Sequence, residues 1–400
     1  MKHIVIVGGS YGGLRALKEL AEYPNIRITV IDRHPYHFLQ TEGYDLIAGK
    51  VPFDQTLIGL RSLCSGFGDH ITFLHTTAET LEPEHNRLIC EDGQVIAYDY
   101  IIIAAGAVTR FFESVEGLKG CSYGVKSLRG AFQIKQFFET ELYKRLESAK
   151  DAKENYNILI GGAGLSGVEI AAEMQAFFNR YYHSNALACG RLHIHLISAD
   201  PTILYGLHPN VIDRSTQRLK ELGVILHTGS PITKVEESCA YLANEKSIPF
   251  DFMIFTGGIM AAPFVQNLPF EHNPIGQVKV DAYLRPHGFE NIFIIGDAAD
   301  LKDPNGNPIP PTAQSAEQSG TNAGQNIVAL LKRDTLHPAN IKMKGLAIAL
   351  GEEYAILDTG WFQIYGRPAY WVKKMIEKSY KWPLRRLAQR GFKKLVSCHC

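Results

Sequence analysis

The feature that most constrains this chain is a unit that occurs twice. Residues 2–20, KHIVIVGGSYGGLRALKEL, are an apolar run too short for a helix, a glycine turn, and then apolar residues at helical spacing. NILIGGAGLSGVEIAAEM, starting at Asn157, repeats this order. Such a strand–turn–helix opening suits a dinucleotide-binding unit. Its glycines let the backbone turn sharply and approach a pyrophosphate, and the helix start offers unpaired N–H groups and a positive dipole end.

The second copy fits GxGxxG with Gly162, Gly164 and Gly167. The first copy runs Gly8, Gly9, Ser10, Tyr11, Gly12, Gly13, so Ser10 takes the middle-glycine place and must turn its side chain away from a phosphate. The strand IRITVIDRH ends at Asp32, 24 residues after Gly8, near the ~20-residue offset of an acid that binds a ribose hydroxyl. The matching strand of the second unit, RLHIHLISAD, has Ser198 at that place. Residues 98–106 and 291–297 read as further buried parallel strands, and residues 250–259 as the second unit's counterpart of 98–106.

Length and charge bound the rest. Four hundred residues suggest two or three domains. Net charge is zero, but residues 372–400 carry nine Lys and Arg against the single acid Glu377, leaving 32 basic and 40 acidic residues elsewhere. An acidic body with a basic tail predicts that the tail meets an anionic surface. No apolar run approaches the 18 residues of a membrane-spanning helix. The N-terminus runs straight into glycines and reads as a strand, not a signal peptide, which points to a reducing cytosol. The seven cysteines (64, 90, 121, 189, 239, 398, 400) are scattered without a CxxC, so neither a zinc site nor a disulfide framework is indicated. The terminal Cys398-His399-Cys400 reads as a frayed tail, and no metal site is expected.

These segments resemble the two-dinucleotide-binding flavoproteins of the pyridine nucleotide-disulfide oxidoreductase superfamily. An Ala104-Ala105-Gly106 segment stands where relatives have ATG, and Gly296-Asp297 matches their terminal GD. Within that group residues 311–318, PTAQSAEQ, are similar to the AQxAxQ quinone-site motif of type II NADH:quinone oxidoreductases. The resemblance covers essentially the whole chain. It implies an α/β fold with two Rossmann-type domains: a discontinuous FAD domain (1–115 and 266–335), an NAD(P)H domain (116–265), and a C-terminal amphipathic helical region (336–400) that binds the membrane.

For the residues, the resemblance implies FAD held by Gly8, Ser10, Gly12, Gly13, Asp32, Ala78, Ala105, Gly106, Asp297 and Ala313. NAD(P)H is assigned to Gly162, Gly164, Gly167, Ser198 and Gly257. Gln314 and Gln318, i and i+4 on one helix face, are expected to line the quinone site. Glu169 is expected near nicotinamide and flavin as a proton relay; its plain alternative is a first-turn glutamate favoured by the helix dipole. NADH is the default donor, and Ser198 in place of an acid predicts that NADPH is tolerated.

The predicted function is transfer of two electrons from NAD(P)H through flavin to a membrane quinone, without proton pumping. The enzyme is expected peripherally on the cytoplasmic face of the cell membrane, with a homodimer compatible. Its tail, residues 370–396, is expected on anionic lipid through apolar positions 372, 375, 376, 380, 384, 387, 388, 392 and 395. A helix docked on the protein's own body is the alternative. Pro383 is expected to start a second helical segment or to kink a single one.

Two rivals remain. A sulfide:quinone oxidoreductase needs a redox cysteine pair near the flavin, and a dithiol reductase needs paired cysteines just after Asp32; residues 33–60 have none. A nucleic-acid-binding flavoprotein could use the basic tail, but such an arm has no need of Leu384, Leu387, Phe392 and Leu395 on one stripe, so nucleic acid is not expected as a partner.

Overall fold

The computed structural model describes residues 1–147, 155–185 and 192–397. Cys189 and the Cys398-His399-Cys400 terminus lie outside them.

Each glycine turn leads out of the central strand of a five-stranded parallel sheet. The first sheet has the order Ile71–His75, Ile26–Asp32, Lys2–Val7, Tyr100–Ile103, Ile292–Ile294. The second has the order Ile225–His227, Leu192–Ile197, Tyr156–Gly161, Phe252–Phe255, Tyr123–Gly124. Pairing is parallel throughout, with Ile4 opposite Ile28 and Tyr100, and Ile158 opposite Ile194 and Phe252. Strands such as Tyr100–Ile103 and Phe252–Phe255 are short, continuous apolar runs because both faces of a parallel sheet are covered. Each sheet also carries a three-stranded antiparallel meander: Ala78–Glu82, Arg87–Cys90, Val95–Ala97 in the first, and Ile232–Glu236, Cys239–Leu242, Ser247–Pro249 in the second. The chain is therefore an α/β protein built from two Rossmann-like units.

The two units are joined by strands Ala107–Thr109 and Ile259–Ala261, paired antiparallel. The last strand of the first sheet, Ile292–Ile294, comes from beyond the second unit. After it, helix Ala313–Lys332 packs on helix Tyr11–Leu20 with almost no side-chain spacing. A Cβ on Gly320 would run into the Gly12 carbonyl, and one on Gly324 into Glu19 and the Ala16 carbonyl.

A third antiparallel meander, Leu346–Ala349, Ala355–Asp358, Gln363–Gly366, precedes the C-terminal helix Arg367–Ser397. Pro383 lies inside that single 31-residue helix and does not begin a second one. Among the described residues no helix is long and apolar enough to cross a membrane.

The tail departs from expectation. Tyr380, Leu384, Leu387 and Ala388 pack on the first unit's core, and Gly391 is buried against the Ser62 carbonyl of helix Leu60–Phe67. The expected single apolar stripe is thus two stripes. The inner one docks on the protein. The outer one shows Trp371, Met375 and Trp382 at 64–66% exposure, with Phe392 and Val396 also exposed. Periodicity locates apolar faces, but it does not say whether a face meets lipid or the protein's own core.

Candidate functional site

The carboxyl ends of the first sheet's strands gather most of the residues assigned to FAD. After strand Lys2–Val7, Gly8 has φ +110°, and a Cβ there would run into the Ala104 carbonyl, so only glycine passes. Its N–H donates to Ile31 O at 2.8 Å. Asp32 accepts from Gly9 N–H through Oδ2 at 2.7 Å and from His34 N–H through Oδ1 at 2.8 Å, which fastens the turn to the neighbouring strand end. Ser10 is the N-cap residue of helix Tyr11–Leu20, yet its side chain makes no capping bond. The first helical N–H groups therefore stay available to a phosphate.

Gly13 packs against the Gly8 carbonyl. At Gly12, expected among the cofactor ligands, a Cβ would lie 3.2 Å from both Ala316 O and Ile295 Cδ1, so its smallness also serves helix packing. Ala78 is buried in the core at the start of its strand. Ala105 and Gly106 follow strand Tyr100–Ile103 half-buried.

Asp297 sits in the turn Gly296–Ala298, with Lys126 Nζ 3.4 Å from its Oδ2. Gly296 N–H donates to Ser319 Oγ at 3.0 Å, tying this turn to helix Ala313–Lys332. Ala313 opens that helix behind a capping box: Ser315 N–H donates to Thr312 Oγ1 and Thr312 N–H to Ser315 Oγ. The side-chain-free Gly8 cradle, the unclaimed N–H groups after Ser10 and the Asp32 carboxylate fit a flavin dinucleotide.

The second turn repeats this backbone. Gly162 also has φ +110°, and a Cβ on it would lie 2.6 Å from Gly257 N. Gly167 packs on the Gly162 carbonyl, and Gly164 has open space in front of its Cα. Ser198, expected at the NAD(P)H site, directly follows strand Leu192–Ile197. It is buried, and its Oγ donates to Thr202 O at 2.9 Å. No carboxylate replaces Asp32 here; instead Leu204 N–H donates to Ala163 O at 2.8 Å and folds the following loop back on the turn.

Glu169, just past the first turn of helix Leu165–Asn185, is buried. Its Oε1 accepts from Ala349 N–H at 2.8 Å and lies 3.0 Å from Lys373 Nζ of the C-terminal helix. Lys373 also lies 3.4 Å from Glu377, and Lys374 bridges Glu377 at 2.8 Å and Asp45 at 2.5 Å. One turn beyond Glu169, Glu173 pairs with Lys50. Four carboxyls, Asp45, Glu169, Glu173 and Glu377, thus meet three ammoniums.

Burial pushes the Glu169 and Glu173 carboxyls up, against the pull of Lys373 and Lys50 respectively. Burial pulls the Lys373 ammonium down, but Glu169 and Glu377 more than offset it, leaving it above the ordinary lysine value. Beside the cluster, Tyr44 OH shares a 2.6 Å hydrogen bond with Ser166 Oγ, and burial pushes the phenol up to about 12. Asp45, Lys50 and Glu173 were not singled out from sequence, and Lys373, Lys374 and Glu377 were read only as charges of the tail. The available signal was two acids one turn apart in the apolar stretch VEIAAEM.

Gln314 and Gln318 share a helix face, and both amides bond the backbone of the segment that follows the helix. Gln314 Nε2 donates to Gly345 O at 2.8 Å, and its Oε1 accepts from Lys344 N–H at 3.0 Å. Gln318 pairs in the same way with Lys342 N–H and O. The pattern of paired bonds suits positioning of segment 342–345, which continues to the Ala349 N–H on Glu169.

At the start of the first helix, Tyr11 packs edge-on to His37, whose Nε2 is 3.1 Å from Tyr380 OH. His37 is buried, and burial pulls its imidazole down to about 3.

The tail's cations are also largely committed. Lys373, Lys374, Lys381 and Lys394 pair with Glu169, Asp45, Glu42 and Asp69, and Arg385 donates to the Asp54 carbonyl. Lys378, Arg386, Arg390 and Lys393 form no ion pair among the described residues. Free thiols occur at Cys64, Cys90, Cys121 and Cys239; burial pushes Cys64 up to about 12 and Cys90 to about 11.

Comparison with known proteins agrees with this architecture. Demethylphylloquinone reductase NdbB of Synechocystis is 27% identical over 393 residues, covering 95% of this chain and 92% of that protein. Type II NADH:quinone oxidoreductase of Staphylococcus aureus is 22% identical over 383 residues, 94% of each chain. The structure of NDH2 from Plasmodium falciparum in complex with NADH superposes with a TM-score of 0.83 at 19% identity, covering 98% of both chains. Residues 2–320 match the pyridine nucleotide-disulphide oxidoreductase family, and the chain, with its two glycine turns on two parallel sheets, belongs to it.

Proposed function

We propose that the chain is a flavin-dependent reductase that oxidises NADH and reduces a quinone at a membrane surface. One observation carries this reading. The C-terminal helix reaches the buried Glu169 through Lys373 on its inner face, while Trp371, Met375 and Trp382 stand exposed on its outer face. A proton-holding carboxyl and an apolar surface are thus separated by about one helix diameter, ~10 Å. A lipid-soluble acceptor needs both. Bound FAD supplies the two-electron chemistry that side chains lack.

The chain's own residues supply position and protons. Gly8, Ser10, Gly13 and Asp32 hold the dinucleotide of FAD at the first turn. The Ala313 helix start and Asp297, both near the carboxyl edge of the first sheet, would hold the flavin end. Gly162, Gly164, Gly167 and Gly257 take NADH at the second turn. Glu169 holds a proton at Oε2, because Oε1 accepts from Ala349 N–H and faces Lys373. Gln314 and Gln318 position segment 342–345, which roofs the site. Residues 1–115 with 266–335 serve as the FAD domain, residues 116–265 as the nicotinamide domain, and residues 336–400 as the lipid-facing region.

The outer face adds the unpaired Lys378, Arg386, Arg390 and Lys393, each contributing about 1 kcal/mol near an anionic leaflet. The exposed Trp361 and Phe362 of the preceding hairpin extend the apolar area. The enzyme sits peripherally on the cytoplasmic face of the cell membrane. A nucleic-acid role has less support now that five of nine tail cations hold the protein's own groups. A sulfide-oxidising role would require nucleophilic thiols, and burial keeps Cys64 and Cys90 protonated.

The test is anaerobic reduction of the FAD-loaded protein by NADH, then titration with a long-tailed quinone on anionic vesicles. We expect the flavin colour to bleach with NADH and to return with quinone. Trp371→Ser with Trp382→Ser should weaken vesicle binding and slow long-tailed more than soluble quinones. A reduced enzyme that no quinone reoxidises would refute the reading.

A further inference from the structure

The turn assigned to the flavin end of FAD carries a charge conflict. NADH gives up a hydride and leaves as NAD⁺, so its acceptor gains two electrons and one proton, and with them one negative charge. Asp297 holds a carboxylate at the same turn. Two like charges at close range disfavour the more negative state.

Asp297 is fixed in this place from both sides. Gly296 N–H donates to Ser319 Oγ at 3.0 Å, and Gln277 Nε2 donates to the Asp297 carbonyl at 3.0 Å. Gln277 is itself buried. Among the described residues the Asp297 carboxylate has one side-chain partner, Lys126, whose Nζ lies 3.4 Å from Oδ2.

That lysine comes from the other unit. It lies between strand Tyr123–Gly124, an edge of the second sheet, and helix Leu128–Glu147. Val125 and Leu128, on either side of it, are buried in the second unit's core. The backbone around it is pressed into place. A Cβ on Gly124 would run into Thr109, and one on Gly130 into the Gly124 carbonyl. Gln40 Nε2 of the first unit donates to the Lys126 carbonyl at 3.1 Å. The segment therefore holds its position through main-chain contacts, and the ammonium is left to serve Asp297.

We propose that Lys126 sets the redox potential of the flavin: a cation supplied by the nicotinamide unit to the flavin unit, which cancels Asp297 and favours reduced over oxidised FAD. This rests on reading the Asp297 turn as the flavin end of an FAD site. A positive charge beside that end stabilises the more negative, reduced cofactor more than the oxidised one, so the midpoint potential rises. The Ala313 helix start, which has no acid in its first turn, acts in the same direction. With side chains only 25% and 16% exposed, Lys126 and Asp297 are screened less than a surface pair. Because the two charges stand on different units, the potential also depends on how the units are seated against each other.

The experiment measures the flavin midpoint potential of the FAD-loaded full chain by anaerobic spectral titration against a reference dye. Wild type is compared with Lys126→Met and Lys126→Arg. Lys126→Met should lower the ratio of reduced to oxidised flavin at a given poise about tenfold, a shift of about 30 mV toward negative potential for a two-electron couple. Lys126→Arg keeps the charge and should stay near wild type. In stopped flow, Lys126→Met should slow flavin reduction by NADH and leave reoxidation by quinone no slower, since a lower potential weakens the first driving force and strengthens the second.

A purely structural tie between the units would lower stability or FAD retention and leave the potential where it is. An unchanged midpoint in Lys126→Met would therefore overturn the proposal, as would an equal shift in Lys126→Arg. If Lys126→Met fails to fold, Lys126→Gln carries the same readouts. A folded wild type that takes up no FAD would sink the flavin reading itself, and the proposal with it. If FAD binds but no quinone reoxidises it, only the acceptor has been misread, and the midpoint potentials still decide the role of Lys126.

Discussion

The two glycine turns have the same backbone and different neighbours. Gly8 and Gly162 share φ +110°, and Gly13 and Gly167 each press on the carbonyl of the first glycine. Around that common frame the first turn is closed by Asp32 and the second by Ser198, which turns inward to Thr202. The helices that follow also diverge. Tyr11–Leu20 uses Gly12 to approach another helix, whereas Leu165–Asn185 carries Glu169 and Glu173 into a buried charge cluster. The first and third glycines are therefore demands of the fold. The strand-end residue and the opening turns of the helix are where the two units acquired separate work.

The largest test of this division lies in what the turns share. Gly13→Ala and Gly167→Ala should each cost about 3 kcal/mol or more, because the added methyl meets a carbonyl that the turn cannot move. Urea unfolding with flavin absorbance would show it. Tolerance of alanine at either position would mean that the two turns are not equivalent.

A smaller effect should separate them. Asp32→Ala leaves the Gly9 and His34 N–H groups without a charged acceptor and should cost about 2 kcal/mol together with FAD retention. Ser198→Ala should cost about 1 kcal/mol and leave FAD bound. Ser198→Glu should shift kcat/KM from NADPH toward NADH; an unchanged ratio would show that the position does not read the ribose.

A separate test uses pH. The first unit meets the C-terminal helix through neutral His37 as well as through ion pairs from Glu42, Asp45 and Asp69, the second through the Glu169–Lys373 pair. His37 has a folded value of about 3 against an ordinary 6.5, so the stability it contributes is complete above pH 6.5 and is lost as pH falls toward 3. Wild type should therefore lose stability relative to His37→Gln by up to about 1.4 kcal/mol per pH unit below 6.5. Parallel curves for the two proteins would place the acid sensitivity in the ion pairs instead.

These contrasts also mark what a sequence discloses. The strands, both turns and Asp32 were legible because each depends on residues close in the chain. Gln314 and Gln318 were legible as a pattern, but their partners at 342–345 are not local. The Lys373–Glu169 pair joins residues about two hundred positions apart, and nothing in a helical stripe states whether its cations face phosphate or a buried carboxylate. Trp371 and Trp382 were expected at a lipid surface and remain exposed, while Leu384 and Leu387, expected beside them, are docked on the core.

The detached edge strand has a consequence for how the protein is made. Strand Ile292–Ile294 and helix Ala313–Lys332 complete the first sheet and cover the Gly12 face, yet they leave the ribosome after the whole second unit. At the usual speed of translation, the roughly 190 residues between Ile103 and Ile292 take on the order of 10–40 s to synthesise. For that interval the N-terminal unit has an open sheet edge and an uncovered helix. The nascent chain thus offers a sticky half-domain, and the second unit in turn waits for Ile348, Leu350 and Ile356 to fill its core, so a chaperone, or early capture of the flavin, would matter most before the last hundred residues appear.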